Sequence, residues 1–156
     1  MEIPPVAIEL VKKWEGLHKK GSDGLIYPYL CPARVWTIGF GSTRDFDGKP
    51  ITKDTPPKTV DECQALMELE LRKCVIQALR HSPVLANNEE ALGAIASFIF
   101  NLGAGSYYRS TLRRKINEAN WEQAQQEIKK WVWAGGRRLP GLIARRNEEA
   151  SFLNAV

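Results

Sequence analysis

The segment YLCPARVWTIGFG, residues 29–41, contains two short apolar runs around a turn-forming Cys-Pro-Ala-Arg and ends in two glycines one residue apart. Short apolar runs bounded by Pro and Gly are typical of short strands and tight turns, so the segment predicts a small antiparallel hairpin. Glycines and prolines recur on both sides of it. We therefore predict a small β lobe over roughly residues 18–55.

Helical patterns flank this lobe. Residues 6–17 place apolar side chains at helical spacing, and Gly16 offers a helix end. Thr59 and Glu62 have the spacing of a capping box, which predicts a helix from there to about Arg80.

The C-terminal half reads as helical. Asn88 precedes a segment that is apolar on every side and is closed by Gly103, which predicts a central buried helix. Further helices are predicted at roughly 107–118, 121–134 and 141–154. The whole chain, 1–156, is predicted to be a single α+β domain. In it a small antiparallel β lobe is joined by a long helix to a larger helical lobe, roughly 60–156 plus the N-terminal helix. We expect a ligand-binding cleft between the lobes.

The charge is unevenly distributed. The 156 residues include 22 Lys and Arg against 18 Asp and Glu, and residues 104–156 hold ten basic side chains against five acidic ones. A basic surface suits an anionic polymer such as nucleic acid, a lipid surface or a cell-wall polymer. A solvated surface that keeps the protein in solution explains the same pattern.

The cysteines do not form a metal or disulfide pattern. Cys63 and Cys74 lie about 16 Å apart along one predicted helix, which is too far for a disulfide. We expect Cys31, Cys63 and Cys74 to be reduced thiols. The start of the chain has neither the basic residues nor the long apolar run of a signal peptide, and no segment reaches membrane-spanning length. These features predict a protein made in the cytoplasm without its own export signal.

Glu15 is a candidate proton donor. It follows Trp14 at the end of the first predicted helix, where that helix meets the β lobe. A carboxyl group against an indole in an apolar wall has a raised pKa and can act as a general acid. A solvent-exposed Glu at a helix end is the simpler interpretation when Glu15 is considered alone.

Cys31 and Thr37 lie on the two arms of the predicted hairpin, where they would flank one small polar site. A thiol and a hydroxyl can hold a water molecule, or the thiolate can act as a nucleophile. Cys31 alone is more often a small buried apolar residue. His18 and His81 are isolated, and no zinc-type spacing occurs, so no metal site is predicted. No interleaved aromatic residues and no recognition helix accompany Arg113-Arg114-Lys115 or Arg145-Arg146, which argues against nucleic-acid binding.

Several motifs in one order identify a family. The chain resembles the phage-type lysozymes, the endolysins of glycoside hydrolase family 24. The resemblance lies in Trp14-Glu-Gly-Leu17, the hairpin 29–41, the segments 94–103 and 110–112, and the C-terminal Trp133-Ala-Gly-Gly136 with Arg145-Arg146. The resemblance covers nearly the whole chain. The family's active-site pattern is a Glu, an Asp or Cys, and a Thr six residues later, which correspond here to Glu15, Cys31 and Thr37. The resemblance also implies that Thr43, Phe100 and Thr111 occupy positions that contact the substrate in the family.

The resemblance implies a lysozyme-like fold and a muramidase that cuts the β-1,4 bond between N-acetylmuramic acid and N-acetylglucosamine in peptidoglycan. It also implies a monomer with no cofactor, no metal, no nucleic-acid partner and no stable membrane insertion, although transient electrostatic contact with the envelope is compatible with it. The enzyme would accumulate in the host cytoplasm and would depend on a holin for release to the periplasm and cell wall. A non-catalytic wall-binding module and a small helical nucleic-acid binder are the rival classes.

One departure leaves a second candidate for the middle position. More residues separate Glu15 from Cys31 than the family's pattern has, and the excess falls in the Gly-rich loop that contains Asp23. Asp23 has no Thr six residues later, whereas the sequence from Cys31 to Thr37 is unbroken. We therefore favour Cys31, as a water activator or as a nucleophile. Ser42, where many relatives have His, is a second departure.

Overall fold

The computed structural model describes residues 2–156, and in that part of the chain it contains seven α-helices, one 3₁₀ helix and four two-residue strands. In chain order the elements are α1 (Pro5–Glu15), β1 (Tyr29–Leu30), β2 (Trp36–Thr37), α2 (Val60–His81), the 3₁₀ helix (Pro83–Asn87), α3 (Glu89–Leu102), α4 (Ala104–Tyr108), α5 (Thr111–Asn117), α6 (Trp121–Ile128), β3 (Trp133–Ala134), β4 (Arg137–Arg138) and α7 (Pro140–Ala150).

The chain divides into two compact units. The hairpin unit is Val11–Glu70, and the helical unit is Leu71–Val156 together with the N-terminal residues up to Leu10. The divisions fall inside α1 and α2, so each of these helices contributes residues to both units.

The hairpin unit contains the predicted antiparallel pair. Strand β1 pairs with β2 so that Tyr29 lies opposite Thr37 and Leu30 lies opposite Trp36. The unit encloses a small apolar core, whose buried side chains are Val11, Ile26, Ile38, Phe40, Ile51, Cys63, Leu66 and Met67. These side chains support short strands that could not be stable as an isolated hairpin.

The predicted capping box begins α2. The Thr59 backbone N–H donates to Glu62 Oε1 at 3.0 Å, and the Glu62 N–H donates to Thr59 Oγ1 at 3.1 Å. Two N–H groups that the helix itself leaves without partners are thereby satisfied. The helix ends at His81, one residue beyond the predicted end at Arg80.

The central buried helix is also confirmed. The Asn88 side chain accepts from the Ala91 N–H at 3.1 Å, and Gly103, at φ 92°, donates its N–H to the Ile99 carbonyl at 2.7 Å. Every residue from 91 to 99 is buried. Helix α3 packs against α4, α7 and the 3₁₀ helix inside the helical unit.

Two predicted helices of the C-terminal half were wrong in extent. The segment 107–118 is divided because the Ser110 side chain accepts from the Arg113 N–H and donates to the Tyr107 carbonyl, which ends α4 and begins α5. The segment 121–134 leaves the helix at Ile128 and continues into the β3–β4 hairpin. Gly135 and Gly136, both at positive φ, form its two-residue turn.

The C-terminal helix buries three charged residues. Glu149 and Arg146 are fully buried, Arg145 is 3% exposed, and the Glu149 carboxylate lies 2.7 Å from Arg146 Nε and 3.3 Å from Arg145 Nε. Ser97 also donates its hydroxyl to Glu149 at 2.7 Å. These charges pair inside the helical unit, so they do not belong to the basic surface that the sequence predicts.

Candidate active site

Glu15 is the last residue of α1. Gly16, at φ +69°, turns the chain out of the helix, and its N–H still donates to the Lys12 carbonyl at 3.1 Å. A non-glycine residue is strained at such an angle, which explains the Gly at this position. The next turn is held by His18, whose Nε2–H donates to the Glu15 carbonyl at 3.0 Å. The backbone that carries the carboxyl group is therefore fixed on both sides.

The Glu15 side chain lies against the Gly41 backbone. A Cβ at Gly41 would stand 3.2 Å from Glu15 Oε1 and 3.3 Å from its Cδ. Gly41 also has φ +90°, in the tight turn where Ile38 and Ser42 exchange two backbone hydrogen bonds. Both the angle and the close approach require glycine, so the G-F-G motif brings the second arm of the hairpin against the carboxyl group.

Cys31 lies at the start of the hairpin turn. Its N–H donates to the Val35 carbonyl at 3.0 Å, and its carbonyl accepts from the Arg34 N–H at 2.7 Å. Hydrogen bonding to the backbone of the turn, with Val35 contributing most, lowers the pKa of Cys31, against a smaller opposing effect of burial. The turn therefore stabilises the thiolate, which is the reactive form of cysteine.

Thr37 lies across the hairpin from Tyr29, so Cys31, two residues after Tyr29, is the diagonal neighbour of Thr37. Thr37 is 3% exposed, and Oγ1 donates to the Val35 carbonyl at 2.9 Å. The hydroxyl is thus held at the base of the turn that carries the sulfur.

These side chains line one pocket of about 500 Å³ in the hairpin unit. Its lining residues are Glu15, His18, Tyr29, Leu30, Cys31, Pro32, Thr37, Gly41 and Thr43. Four of the six residues chosen from the sequence therefore meet here, one carboxyl, one thiol and two hydroxyls. Phe100 near the end of α3 and Thr111 at the start of α5 belong to the helical unit.

Five lining residues were not chosen from the sequence, and two of them, His18 and Tyr29, carry polar rings. The centroids of the His18 and Tyr29 rings lie 5.2 Å apart, the rings are inclined at 57°, and both residues line the pocket. Burial, followed by the negative charges of Glu15 and Cys31, raises the pKa of Tyr29, so its phenol stays neutral and able to donate. Successive side chains of a strand point to opposite faces, so Tyr29, two residues before Cys31, is expected on the same face as Cys31. This alternation could have identified Tyr29 from the sequence. No signal distinguishes His18.

Asp23, the rival of Cys31, is committed to its own loop. Its carboxylate accepts from the Leu25 N–H at 3.0 Å and from the Tyr27 hydroxyl. The hydrogen bond from Tyr27, followed by the one from Leu25, lowers the pKa of Asp23. Asp23 is exposed and does not line the pocket.

Among residues 2–156, no three His, Cys, Asp or Glu side chains are grouped so that they could hold a metal ion. In the same range, no helix combines the length and the apolar character that a bilayer span requires.

The family model for phage lysozymes matches residues 12–149, which include the whole pocket. The chain belongs to the phage lysozyme family. It is therefore a glycoside hydrolase of the lysozyme class, and the family inferred from the sequence motifs is confirmed.

Individual relatives agree with this assignment. The chain is 36% identical over 134 residues to the SAR-endolysin of Bacteriophage PS119, an alignment that covers 83% of this chain and 74% of that protein. It is 30% identical over 162 residues to the endolysin of Acyrthosiphon pisum secondary endosymbiont phage 1, with both chains fully covered. The endolysin from Escherichia coli O157:H7 phage FAHEc1 has the same fold, with a TM-score of 0.82, 22% identity and coverage of 98% of this chain and 93% of that one. The predicted α+β, lysozyme-like fold class is confirmed.

Proposed function

We propose that the pocket of the hairpin unit is the catalytic centre of this phage lysozyme, a lysis enzyme that hydrolyses the β-1,4 bonds between N-acetylmuramic acid and N-acetylglucosamine in peptidoglycan. The observation that carries the proposal is the convergence of Glu15, Cys31 and Thr37 on one pocket of about 500 Å³. A pocket of this size lies within the usual range for sites that hold a small ligand.

Glu15 is the general acid. Its proton passes to the glycosidic oxygen as the bond to the anomeric carbon breaks, and positive charge develops on the ring as in an oxocarbenium ion. The contact with Gly41 and the fixed backbone at Gly16 hold the carboxyl group in one place. Fixing the donor in this way avoids the entropic cost of finding the reactive geometry.

Cys31 and Thr37 act on the opposite side of the bond. The lowered pKa of Cys31 favours a thiolate, which takes a proton from a water molecule held with Thr37 as the water attacks the anomeric carbon. In a second route the sulfur itself attacks that carbon, and water later releases the sugar. A thioglycoside detected by mass spectrometry of the quenched enzyme separates the second route from the first.

The test of the acid is Glu15→Gln, with Glu9→Gln as a matched control. Glu9 is exposed on the same helix, so its replacement removes the same charge outside the pocket. Glu15→Gln is expected to lower the rate of peptidoglycan hydrolysis by about 100-fold to 10,000-fold because an amide cannot donate that proton. Near-normal hydrolysis by a folded Glu15→Gln protein would contradict the assignment and would leave a wall-binding role.

The test of the thiol is Cys31→Ser against Cys31→Asp. A hydroxyl is a poor source of an anion at neutral pH, so the Ser variant should lose most of the activity, whereas the Asp variant supplies a carboxylate and should keep much of it. Thiol-blocking reagents should inactivate the wild type and spare the Asp variant, since Cys63 is buried and Cys74 lies outside the pocket. An active Cys31→Ser protein together with an inactive Asp23→Asn protein would transfer the role to Asp23.

We also infer that the enzyme is a monomer that accumulates in the host cytoplasm and reaches the wall only when a holin permeabilises the inner membrane. The similarity to a phage endolysin over the full length of both chains supports a role in lysis of the host cell. Expression alone should leave the culture intact, and addition of chloroform should lyse it within minutes. Prompt lysis on expression alone would instead indicate an export route of the enzyme's own.

A further inference from the structure

The β3–β4 hairpin of the helical unit is exposed along its whole length. Every residue from 133 to 141 is exposed, with Trp133 at 61% and Leu139 at 38%. Val132, directly before β3, is only 4% exposed. Because successive side chains of a strand point to opposite faces, the burial of Val132 directs the Trp133 indole away from the core and into solvent. Tryptophan buries most of its surface on average, so an indole this exposed is a candidate contact for a partner.

Two arginines accompany this indole. In the hairpin, Trp133 lies opposite Arg138 and Ala134 lies opposite Arg137. Directly opposite residues share a face of the ribbon, so Arg138 stands on the same outward face as Trp133. Among residues 2–156, no acidic side chain forms an ion pair with Arg137 or Arg138. The charges of both guanidinium groups are therefore available to a partner.

The sequence around the hairpin carries no negative charge. Residues 128–147 contain six Lys and Arg and no Asp or Glu. Arg145 and Arg146 are buried and Lys130 forms an ion pair, so these three add little charge to the surface. Lys129 and the two hairpin arginines remain, and all three are exposed. The exposed apolar side chains of the hairpin thus stand in a local field that attracts anions.

We propose that the β3–β4 hairpin docks the protein on an anionic lipid bilayer. Guanidinium forks bind phosphate oxygens in pairs, and each Lys or Arg near such a surface strengthens the attraction. An indole settles at the boundary between headgroups and acyl chains, where its ring is in apolar surroundings and its N–H meets polar groups. The exposed Leu139 adds apolar surface that the same boundary can bury.

The chemistry of the hairpin favours lipid over other anionic partners. A sugar or another small ligand binds in a concave site, whereas these side chains stand on an exposed ribbon that can meet a flat surface. Nucleic acid offers phosphates and bases that stack on an indole, but it offers the aliphatic Leu139 nothing comparable to the apolar interior of a bilayer. The proposal does not depend on the catalytic role of Glu15. Docking of this kind would hold the enzyme at the host inner membrane, where its proposed release begins.

The experiment measures binding of the whole protein to vesicles by sedimentation and by tryptophan fluorescence. The anionic vesicles contain phosphatidylethanolamine and phosphatidylglycerol, and the neutral vesicles contain phosphatidylcholine. We expect binding to the anionic vesicles that weakens as salt is added, and much weaker binding to the neutral ones. Brominated lipid should quench part of the fluorescence. The chain has five tryptophans, so loss of this quenching in Trp133→Phe assigns the contact to the hairpin.

Matched variants separate the hairpin from general charge and apolar character. Arg137→Ala and Arg138→Ala should each weaken binding about 5-fold, and Trp133→Ala should weaken it about 10-fold. The controls are Arg72→Ala and Ile76→Ala, which remove an exposed charge and an exposed apolar side chain from α2. Each control should change binding less than about 2-fold, because a charge beyond the screening length contributes little.

Specific outcomes would overturn the proposal. These are no binding to the anionic vesicles, equal binding to anionic and neutral vesicles, equal losses in the hairpin variants and the α2 controls, and unchanged quenching in Trp133→Phe. Tighter binding of a short single-stranded oligonucleotide than of the anionic vesicles, with the same dependence on Trp133 and Arg138, would assign the hairpin to nucleic acid. The same dependence in binding to purified peptidoglycan, without binding to vesicles, would assign it to the wall.

Discussion

Replacement of Gly41 by Ala separates the positioning of Glu15 from the stability of the turn. Gly41 has φ +90°, and an added Cβ would stand 3.2 Å from Glu15 Oε1 and 3.3 Å from Cδ. Carbon atoms in good contact lie about 3.5–4.0 Å apart, so the carboxyl group must move by a few tenths of an ångström. The unusual angle should cost about 1–2 kcal/mol of unfolding free energy.

Gly48→Ala is the matched control. Gly48 lies in the same unit at φ +82°, but a Cβ there meets no atom within 4 Å. Both variants should therefore lose a similar free energy of unfolding, whereas only Gly41→Ala should lose catalysis. Because a misplacement of about 1 Å costs on the order of 100-fold in rate, a shift of a few tenths should cost roughly 3-fold to 10-fold in kcat.

The assays are urea unfolding for stability and the initial rate of turbidity loss of purified peptidoglycan at saturating substrate for kcat. Equal kcat values for Gly41→Ala and Gly48→Ala, with both proteins folded, would refute the reasoning. That result would mean either that the Glu15 carboxyl group does not rely on this contact or that Glu15 is not the acid.

Three further results are expected. Glu149→Ala leaves the buried guanidinium groups of Arg145 and Arg146 without their shared carboxylate. It should lower the free energy of unfolding, measured by urea titration, by about 3–5 kcal/mol. A loss below about 1 kcal/mol would contradict the buried pairing. Asp23→Asn should leave the rate of hydrolysis within a factor of about two of the wild-type rate. The Asp23 carboxylate accepts its hydrogen bonds from Leu25 and Tyr27 in its own loop, so its replacement should affect the conformation of that loop and not the reaction. The rate should rise with pH as the Cys31 thiolate forms, and because the pKa of Cys31 is lowered this rise should occur below the pH expected of an ordinary thiol. In Cys31→Asp the rise should shift further to acid pH, and identical pH–rate profiles for the two proteins would exclude the thiol from the reaction.

Local signals in the sequence were sufficient for much of the fold. The capping box at Thr59 and Glu62, the Asn88 cap and the Gly103 end each depend on contacts between residues at most four apart, so their residue types predict the structure directly. The hairpin that carries Cys31 and Thr37 follows from the same kind of local pattern. The sequence motifs from Trp14 to Arg146 were also enough to identify the family, because several of them occur in one order.

Other features depend on residues that are distant in the sequence, and the tertiary structure decided them. The spacing to Thr37 favours Cys31 over Asp23, and the structure adds that Cys31 lines the pocket whereas Asp23 forms hydrogen bonds within its own loop. Nothing near His18 in the sequence indicates that its ring meets Tyr29.

The burial of charged side chains shows most clearly what the sequence alone does not predict. Arg145, Arg146 and Glu149 look like members of a solvated basic segment, but the helical unit buries them together with Ser97, whose partner lies 52 residues away. A sequence pattern reports which side chains share a helix face, whereas whether that face meets water or another helix depends on packing that brings distant segments together.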